Sequence, residues 1–239
     1  MAQWQPSVTV IAIAGPSGGG KTTLVDQVAA LLGNTTRLYF DDYAAVSSYP
    51  QDVPGWIAAG ADPNDWRTPR LAEDLQTLRQ GTAILHPDGT TVQEPSRYIV
   101  LEEPFGRERH EMAPLIDFVA CLDTPLDVAV VRRLRRDVRQ RSSHTPTVEE
   151  LVTGLEEYLT FYLEVLRAGY QSVHARALAS CDLALDGTQP VEHLADHVVG
   201  AVRGHDALRA ADRGQAERAT EPTVGGIDHQ AVQTGVKRS

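Results

Sequence analysis

The segment VTVIAIAGPSGGGKTT, residues 8–23, decides the fold of this chain. Val8 to Ala14 is a short and nearly continuous apolar run, which is typical of a strand buried on both faces of a parallel sheet. Gly15 to Thr22 follows directly and matches the pattern G-x-x-x-x-G-K-[ST]. Lys21 to Leu32 then has the pattern of a helix that stops at Gly33. A buried strand, a glycine-rich loop and a helix in this order predict a phosphate-binding loop, or P-loop.

The predicted loop carries the groups that hold a triphosphate. Its glycines let consecutive backbone N–H groups turn inward around an anion, and the helix that follows adds its dipole. We expect Lys21 to reach the β- and γ-phosphates and the Thr22 hydroxyl to bind magnesium. A glycine-rich turn without a ligand would not require this Lys-Thr pair. The residues predicted to bind the nucleotide at this loop are Gly15, Ser17, Gly18, Gly19, Gly20, Lys21, Thr22 and Thr23.

Length and composition restrict the number of domains and the class of partner. A chain of 239 residues with 42% hydrophobic content can bury one sizeable core. We expect one domain over residues 1–203 and a disordered or loosely helical tail over residues 204–239, where apolar periodicity ends. The formal charge of −10 argues against a nucleic-acid binder. Since no run approaches the roughly 20 apolar residues of a membrane span, we expect a cytoplasmic protein without a membrane partner that binds small molecules.

Strand-like and helix-like segments alternate along the first 203 residues. Further strands are predicted at Arg37–Phe40, Tyr98–Glu102, Phe118–Asp123 and Leu183–Leu185. Helices are predicted at Leu71–Arg79, after Pro125, from about Thr147 to Tyr170, and at Val191–Arg203. Thr147 and Glu150 predict a capping box at the start of the third of these helices. The alternation favours an α/β fold with a parallel sheet.

Two of the predicted strands end in carboxylates. Asp41 and Asp42 follow one strand, and Glu102 and Glu103 end another. The carboxyl ends of parallel strands line the ligand crevice. There Asp41 could accept a proton from an attacking hydroxyl or hold a magnesium water, and Glu102 could orient the metal. Asp42 and Glu103 are the alternatives at the two positions, and turn formation is the structural alternative for the aspartates.

Arginines cluster on the helix predicted after Pro125. The cluster consists of Arg132, Arg133, Arg135, Arg136, Arg139 and Arg141. Planar guanidinium groups at a spacing of three to four residues suit the binding of transferring phosphates as a lid closes. We therefore expect a lid at about residues 125–146, with a solvated helical face as the alternative.

Together these segments resemble the uridine kinase and phosphoribulokinase branch of P-loop kinases. IAIAGPSGGGKTTL (11–24) is similar to the first motif of that branch, LYFDDY (38–43) to its strand with the catalytic aspartate, and IVLEEPF (99–105) to its strand with a functional glutamate. FVACLDTPLDVAVVRRLRRDVRQR (118–141) resembles its fourth strand and lid helix, and LALDGT (183–188) its loop near the adenine. The resemblance covers about residues 8–203 and is loose between residues 44 and 97.

The resemblance implies a three-layer P-loop NTPase fold with strand order 2-3-1-4-5, ATP with Mg²⁺, and a hydroxyl as the phosphate acceptor. It makes Asp41 the general base and assigns magnesium to Thr22, Glu102 and Asp41. It also implies phosphate contacts in catalysis for Lys21, Arg132 and Arg136, and nucleotide contacts for Arg139 and Gly187.

Residues 43–97 depart most from the family and contain the acceptor site by elimination. The substrate hairpin of uridine kinases is not recognisable in ILHPDGTT (84–91), and Glu103 and Pro104 replace a glycine of the family. Aromatic rings can stack on a ring, while aspartate and arginine can fix hydroxyls. The candidates for the substrate site are Tyr43, Trp56, Asp65, Trp66 and Arg67, next to Asp41 and Glu102. Core positions are the equal alternative for the two tryptophans.

Three functions are compatible with these residues. The first, which we expect, is ATP-dependent transfer of the γ-phosphate to a hydroxyl of a nucleoside-like or related small alcohol. The second is a nucleoside monophosphate kinase, whose phosphate acceptor would need arginines such as Arg67, Arg70, Arg97, Arg107 and Arg109. The third is a regulatory module that holds ATP without turnover, for which the two carboxylate-ended strands would have no use.

Overall fold

A computed structural model of the chain describes residues 8–141 and 147–220. Its strands are β1 Thr9–Ala14, β2 Thr35–Leu38, β3 Ile84–Leu85, β4 Val92–Gln93, β5 Tyr98–Glu102, β6 Phe118–Asp123 and β7 Leu183–Asp186. Five of them form one sheet in the order β2-β5-β1-β6-β7, with every pair parallel. The two short strands β3 and β4 form a separate antiparallel hairpin. When the hairpin strands are left out of the count, the sheet reads 2-3-1-4-5, and the predicted parallel α/β class is confirmed.

Helices connect the strands and cover the sheet. They are α1 Lys21–Leu32, α2 Val53–Ala58, α3 Pro69–Arg79, α4 Leu126–Arg141, α5 Val148–Phe161, α6 Arg167–Ala179 and α7 Val191–Thr220. Short 3₁₀ helices occur at Phe40–Val46, Pro63–Asp65 and Ala113–Leu115, and a π-helical turn, Tyr162–Leu166, joins α5 to α6. Both hydrogen bonds of the predicted capping box between Thr147 and Glu150 are present. The helix predicted from Thr147 to Tyr170 therefore starts as expected and continues to Ala179.

The sheet separates two apolar clusters, which explains why β1 has no polar face. Val10, Ala12 and Ala14 belong to one cluster, which also contains residues of α3 and α6. Ile11 and Ile13 belong to the other, which contains residues of α1 and α7. The alternation of side chains along a strand places successive residues on opposite faces of the sheet. The result is the predicted three-layer arrangement, with the P-loop at the carboxyl end of its central strand.

The second strand and the closing helix have other boundaries than predicted. The second strand begins earlier than predicted, because Thr35 and Thr36 pair with β5, and Phe40 already belongs to a 3₁₀ helix. The predicted closing helix runs beyond Arg203 to Thr220, so residues 204–220 of the predicted tail are helical. Residues 221–239 of that tail, and residues 142–146 of the predicted lid, lie outside the described residues.

The chain divides into two compact units, Met1–Arg203 and Gly204–Ser239. The first contains the sheet and all the predicted site residues. Within the described residues, no helix combines the length and the apolar composition that crossing a membrane requires.

Candidate active site

The P-loop lies against helix α4. Gly18 adopts a φ of 80°, and a side chain there would place its Cβ 2.1 Å from the backbone oxygen of Ala129. Gly20, at the N-cap of α1, has a φ of 104° in the left-handed region. Both positions require glycine, the first because the helix approaches closely and the second because of its backbone conformation. Without side chains at these glycines, backbone N–H groups of the loop can approach a phosphate closely.

Lys21, Thr22 and Glu102 form one cluster at this loop, in which Lys21 and Glu102 are buried and Thr22 is exposed. The Lys21 Nζ atom lies 3.3 Å from Glu102 Oε1 and donates a hydrogen bond to the Pro16 carbonyl at 3.1 Å. The Thr22 hydroxyl donates to Glu102 Oε2 at 2.9 Å. Glu102 reaches this place because β5 pairs with β1 and sets Glu102 opposite Ile13, two residues before the loop. A cation, a hydroxyl and a carboxylate thus meet where the phosphates of a nucleotide would lie.

Glu103 points to a different partner. Its side chain is fully buried and receives a hydrogen bond at 3.0 Å from Nε of Arg109, which is also fully buried. Burial raises the pKa of the Glu103 carboxyl, and the Arg109 charge opposes that change. The alternation of side chains along β5 sends the two glutamates to opposite sides, so Glu102, not Glu103, lies at the P-loop.

The two aspartates after β2 are also separated. Asp41 lines the cavity at the P-loop, and its carboxylate has no hydrogen bond or ion pair within residues 8–141 and 147–220. Asp42 lies 3.1 Å from Nε2 of His86, on the β3–β4 hairpin side. The short 3₁₀ helix that starts at Phe40 directs them differently. Asp41 is therefore available to a ligand, and Asp42 is engaged in a contact between segments.

Helix α4 brings its arginines to the P-loop. Arg132 donates to the Gly187 carbonyl at 2.9 Å, and Arg133 donates to the Ser17 hydroxyl at 3.0 Å. Arg136 also lines the cavity. The predicted nucleotide contact Arg139 is exposed and does not line the cavity, because it lies nearly one further turn from the loop.

The family resemblance did not assign a phosphate contact to Arg133, although Arg133 is part of the predicted arginine cluster. It also donates to the Tyr170 hydroxyl at 3.1 Å, which joins the P-loop to α6. The helical period offered a signal, since Ala129, which packs on Gly18, and Arg133 are four residues apart and share one face.

A cavity of about 820 Å³ extends from the P-loop toward the predicted acceptor region. Outside the P-loop and α4, its lining residues are Phe40, Asp41, Val53, Trp56, Ile57, Trp66, Glu102, Pro104, Phe105, Leu166, Gly169, Tyr170, Val173 and His174. Trp56 and Trp66 line the cavity and also contact each other, with ring centroids 5.6 Å apart. The two tryptophans therefore pack on each other, and ligand contact in the cavity stays a prediction.

Three acceptor candidates do not reach the cavity. Tyr43 is buried and donates from its hydroxyl to Asp74 at 3.0 Å, and burial raises the pKa of that phenol. Asp65 is exposed at the end of the Pro63–Asp65 helix. The backbone of Arg67 forms a bridge with Ser48, and its side chain is exposed. In this structure the side chain of Tyr43 therefore lies in the core and those of Asp65 and Arg67 lie in solvent, away from the cavity in which they were predicted.

Besides the predicted Trp56, helices α2 and α6 contribute cavity residues that the sequence did not indicate, among them Val53, Ile57, Tyr170 and His174. Asp52 caps α2, accepting a hydrogen bond from the Gly55 N–H at 3.0 Å, with Pro54 in the first turn. Aspartate followed by proline within the first turn is a helix-start signal that could have located α2. Tyr170 and His174, four residues apart on α6, lie just beyond the π-helical turn, an irregularity common at functional sites.

The five arginines that a phosphate acceptor would need lie away from the cavity, and three of them form ion pairs with carboxylates. Arg109 is buried with Glu103, Arg70 lies 2.7 Å from Asp74, and Arg107 lies 2.7 Å from Asp182. Neither these three nor Arg67 or Arg97 lines the cavity.

No protein-family model matches the chain. The chain is 29% identical over 173 residues to a uridine kinase of Staphylococcus haemolyticus, covering 67% of this chain and 79% of that protein. It is 27% identical over 175 residues to a uridine kinase of Borrelia duttonii, covering 68% of this chain and 79% of that protein. Among solved structures, a possible uridine kinase from Bacillus stearothermophilus is 18% identical, with a TM-score of 0.45 and coverage of 77% of this chain and 92% of that one. That structural likeness is too weak to add to the sequence comparison, which by itself confirms the resemblance read from the motifs.

Proposed function

We propose that this chain, a phosphotransferase of the uridine kinase and phosphoribulokinase-like branch of P-loop kinases, transfers the γ-phosphate of ATP to a hydroxyl of a nucleoside-like or related small alcohol. The observation that carries the proposal is the position of Asp41. Its unengaged carboxylate lines the same cavity as Lys21, Thr22 and Glu102. A carboxylate in that place can accept the proton of an attacking hydroxyl.

The donor end of the cavity fits ATP with Mg²⁺. The Thr22 hydroxyl and the Glu102 carboxylate are oxygen donors 2.9 Å apart, and Mg²⁺ is commonly held by few protein oxygens together with phosphates and water. Among the described residues, no group of three or more His, Cys, Asp or Glu side chains is placed to hold a metal ion. Bound Mg²⁺ would neutralise charge on the β- and γ-phosphates.

Different residues have different roles in the proposed phosphoryl transfer. Lys21 and the arginines of α4, Arg132 and Arg136 together with Arg133, can donate to phosphate oxygens on which charge develops. The acceptor oxygen forms a bond to the γ-phosphorus as the bond from that phosphorus to the bridging β,γ-oxygen breaks. The hydroxyl proton passes to Asp41, and ADP leaves with the electron pair of the broken bond.

The other two functions have less support. A nucleoside monophosphate acceptor needs a cation for its phosphate, and the five arginines of the acceptor region lie away from the cavity. A regulatory module without turnover would not need an unengaged carboxylate beside the triphosphate site. The uridine kinase relatives favour a nucleoside-like acceptor.

Replacing Asp41 by asparagine tests the proposal. We expect Asp41→Asn to lower kcat by about 10²- to 10⁴-fold, the usual contribution of a general base, with little change in ATP affinity. The assay is ADP release with a panel of nucleosides, nucleoside monophosphates, sugars and other small alcohols. Asp42→Asn is the matched control, because Asp42 carries the same charge one residue away and contacts His86. Equal turnover by Asp41→Asn and the unmodified chain would refute the assignment of the base.

Lys21→Ala supplies a second control for the same assay. Since Lys21 lies within the P-loop cluster, its loss should impair both ATP binding and turnover. A loss of binding with Lys21→Ala and its retention with Asp41→Asn would separate the donor site from the base.

A further inference from the structure

The side chain of Arg133 lies where the P-loop, α5 and α6 approach α4. Its Nη1 donates one hydrogen bond to the Ser17 hydroxyl at 3.0 Å and another to the Tyr170 hydroxyl at 3.1 Å. Its guanidinium also lies over the ring of Tyr158, 5.2 Å from the ring centroid. The backbone of the P-loop is close as well, since a Cβ on Gly18 would lie 3.1 Å from the Cβ of Arg133. Two tyrosines and the loop therefore fix the position of this cation.

The Arg133 guanidinium keeps a donor group for a phosphate in the cavity that it lines. Its Nη1 uses both of its hydrogens on the two hydroxyls. Within residues 8–141 and 147–220, its Nε has no hydrogen-bond partner and lies 3.7 Å from Oδ2 of Asp137, beyond hydrogen-bonding distance. An arginine has five N–H donors in a fixed planar arrangement. Nη2 can therefore serve a phosphate oxygen while Nη1 keeps its two contacts.

The other two arginines of α4 that line the cavity are held differently. Arg132 donates to the Gly187 carbonyl at 2.9 Å and to the Gly19 carbonyl at 3.4 Å. Arg136 is half exposed and lies 3.6 Å from Asp137 on its own helix. Backbone carbonyls and a neighbour on the same helix hold these two, whereas side chains of α5 and α6 hold Arg133.

The π-helical turn between α5 and α6 brings three tyrosines into one row. Tyr158 and Tyr162 are four residues apart and share a helix face, with ring centroids 6.3 Å apart. Tyr170 follows eight residues after Tyr162, which would be about 2.2 turns of a regular α-helix. The π turn takes up one additional residue, so these residues make about two turns and Tyr170 returns to the same face, with its ring centroid 6.3 Å from that of Tyr162. The irregularity thereby places the Tyr170 hydroxyl beside Arg133.

We propose that Tyr158 and Tyr170 are positioning residues for Arg133: the ring of the first and the hydroxyl of the second hold its guanidinium beside the P-loop, where it meets the phosphates of ATP. This inference rests on the proposed function and deepens it, because Arg133 serves the same donor site. A guanidinium that is already fixed loses little side-chain freedom when the nucleotide binds. The effect of both tyrosines on ATP affinity therefore passes through Arg133 and disappears when the guanidinium is removed.

A double-mutant cycle on the full chain tests this inference with a probe that cannot transfer its γ-phosphate. The probe is the β,γ-imido analogue of ATP with Mg²⁺, titrated by calorimetry. Tyr170→Phe removes only the hydroxyl and should weaken binding of the analogue by about threefold to tenfold, the equivalent of one hydrogen bond. In the Arg133→Met background the same change should have no further effect. An undiminished effect of Tyr170→Phe in that background, or no effect in the unmodified chain, would overturn the inference.

The two tyrosines should act through different parts of their side chains. Tyr158→Leu removes the ring under the guanidinium and should weaken binding of the analogue by about threefold. Tyr158→Phe should not, because the Tyr158 hydroxyl has no hydrogen-bond partner in the described part of the chain. Tyr162→Phe is the matched control, since its hydroxyl donates to the Leu126 carbonyl at 3.3 Å. Equal losses with Tyr158→Phe and Tyr158→Leu, or with Tyr162→Phe and Tyr170→Phe, would contradict these roles.

Steady-state kinetics distinguish positioning of Arg133 from direct contact with the acceptor. With the acceptor of the ADP-release panel that has the highest kcat/KM, Tyr170→Phe should raise the KM for ATP and leave the KM for the acceptor unchanged. Since Tyr170 lines the cavity, a rise in the acceptor KM alone would make it an acceptor contact and overturn the inference.

The calorimetry also separates this inference from the proposed function. If the unmodified chain does not bind the ATP analogue, the proposed ATP site and the kinase function fail together. If the unmodified chain binds it and the double-mutant cycle shows no coupling between Tyr170 and Arg133, only the positioning role fails.

Discussion

Replacement of Arg109 by methionine should destabilise the fold by about 3–5 kcal/mol, the usual cost of removing one partner from a buried ion pair. Arg109 and Glu103 are both fully buried, so the carboxylate that remains would be desolvated and without its counter-ion. The substitution also removes hydrogen bonds to the Trp66 carbonyl and the Thr68 hydroxyl, both at 2.7 Å. These additional losses favour the upper half of the range, each being about 1 kcal/mol.

Thermal and urea unfolding of the full chain provide the measurement. Since 1 kcal/mol corresponds to about 2–4 °C in a protein of this size, Tm should fall by about 6–20 °C. Arg37→Met is the matched control, because Arg37 pairs with Asp26 at 2.9 Å while the side chains of the two are 51% and 46% exposed. That exposed pair should contribute at most about 1 kcal/mol. A Tm decrease of the same size in both variants would refute the reasoning from burial.

The pH dependence gives an independent check on the Arg109→Met variant. Burial raises the pKa of Glu103, and loss of the opposing Arg109 charge should raise that pKa further. A folded carboxyl with a raised pKa holds a proton that the unfolded chain has released, so stability increases as pH falls through the folded pKa. The difference in unfolding free energy between the variant and the unmodified chain should therefore become smaller as the pH is lowered toward the ordinary pKa of a glutamate. The double variant Glu103→Gln/Arg109→Met should recover about 1–3 kcal/mol, because no buried charge remains.

Three further predictions concern the P-loop, the lid and a buried thiol. Gly18→Ala should lower kcat/KM by about 100-fold, because the added Cβ would lie 2.1 Å from the Ala129 oxygen and would displace the loop; steady-state kinetics would show this. Arg133→Met should raise the KM for ATP by about tenfold through loss of a charged donor at the P-loop, whereas Arg135→Met, an exposed position outside the cavity, should not. Burial raises the pKa of the Cys121 thiol to about 12, so a disulfide reagent at pH 8 should leave this thiol unmodified in the folded chain and modify it in denaturant.

Sequence periodicity predicted the layers of this fold well, for a physical reason. A strand buried on both faces reads as a continuous apolar run, and a helix on one face of the sheet reads as spaced apolar residues; β1 and α1 show these two patterns within the first 32 residues. The P-loop itself was equally predictable, because the chemistry of phosphate binding requires particular residues at fixed spacing. The directions of the Asp41 and Asp42 side chains could not be predicted from strand alternation. Both residues belong to a 3₁₀ helix and not to an extended strand.

The acceptor site was the least predictable part, because its residues come from segments far apart in the sequence. Trp56 and Trp66 were recognisable as ring-bearing candidates, but Phe105 and His174 join them through packing across the fold. The periodicity of a single segment does not predict contacts between segments that are far apart in the sequence. Tyr43 illustrates the opposite error, since an aromatic residue next to Asp41 looked like a ligand contact and is instead buried.

The pair of glutamates at the end of β5 connects the stability of the fold with the proposed acceptor site. Glu102 faces the P-loop, and Glu103 anchors Arg109, whose remaining donors hold the backbone of Trp66 and the side chain of Thr68. The Arg109 guanidinium, 5.3 Å from the Phe40 ring centroid and 5.6 Å from that of Phe105, therefore lies behind the rings that line the cavity and does not line it itself. If Arg109→Met loosens Trp66, which lines the cavity, affinity for the acceptor should fall while ATP binding at the P-loop is retained. That separation would link the departure from the family at Glu103 to the choice of acceptor and not to the binding of the donor.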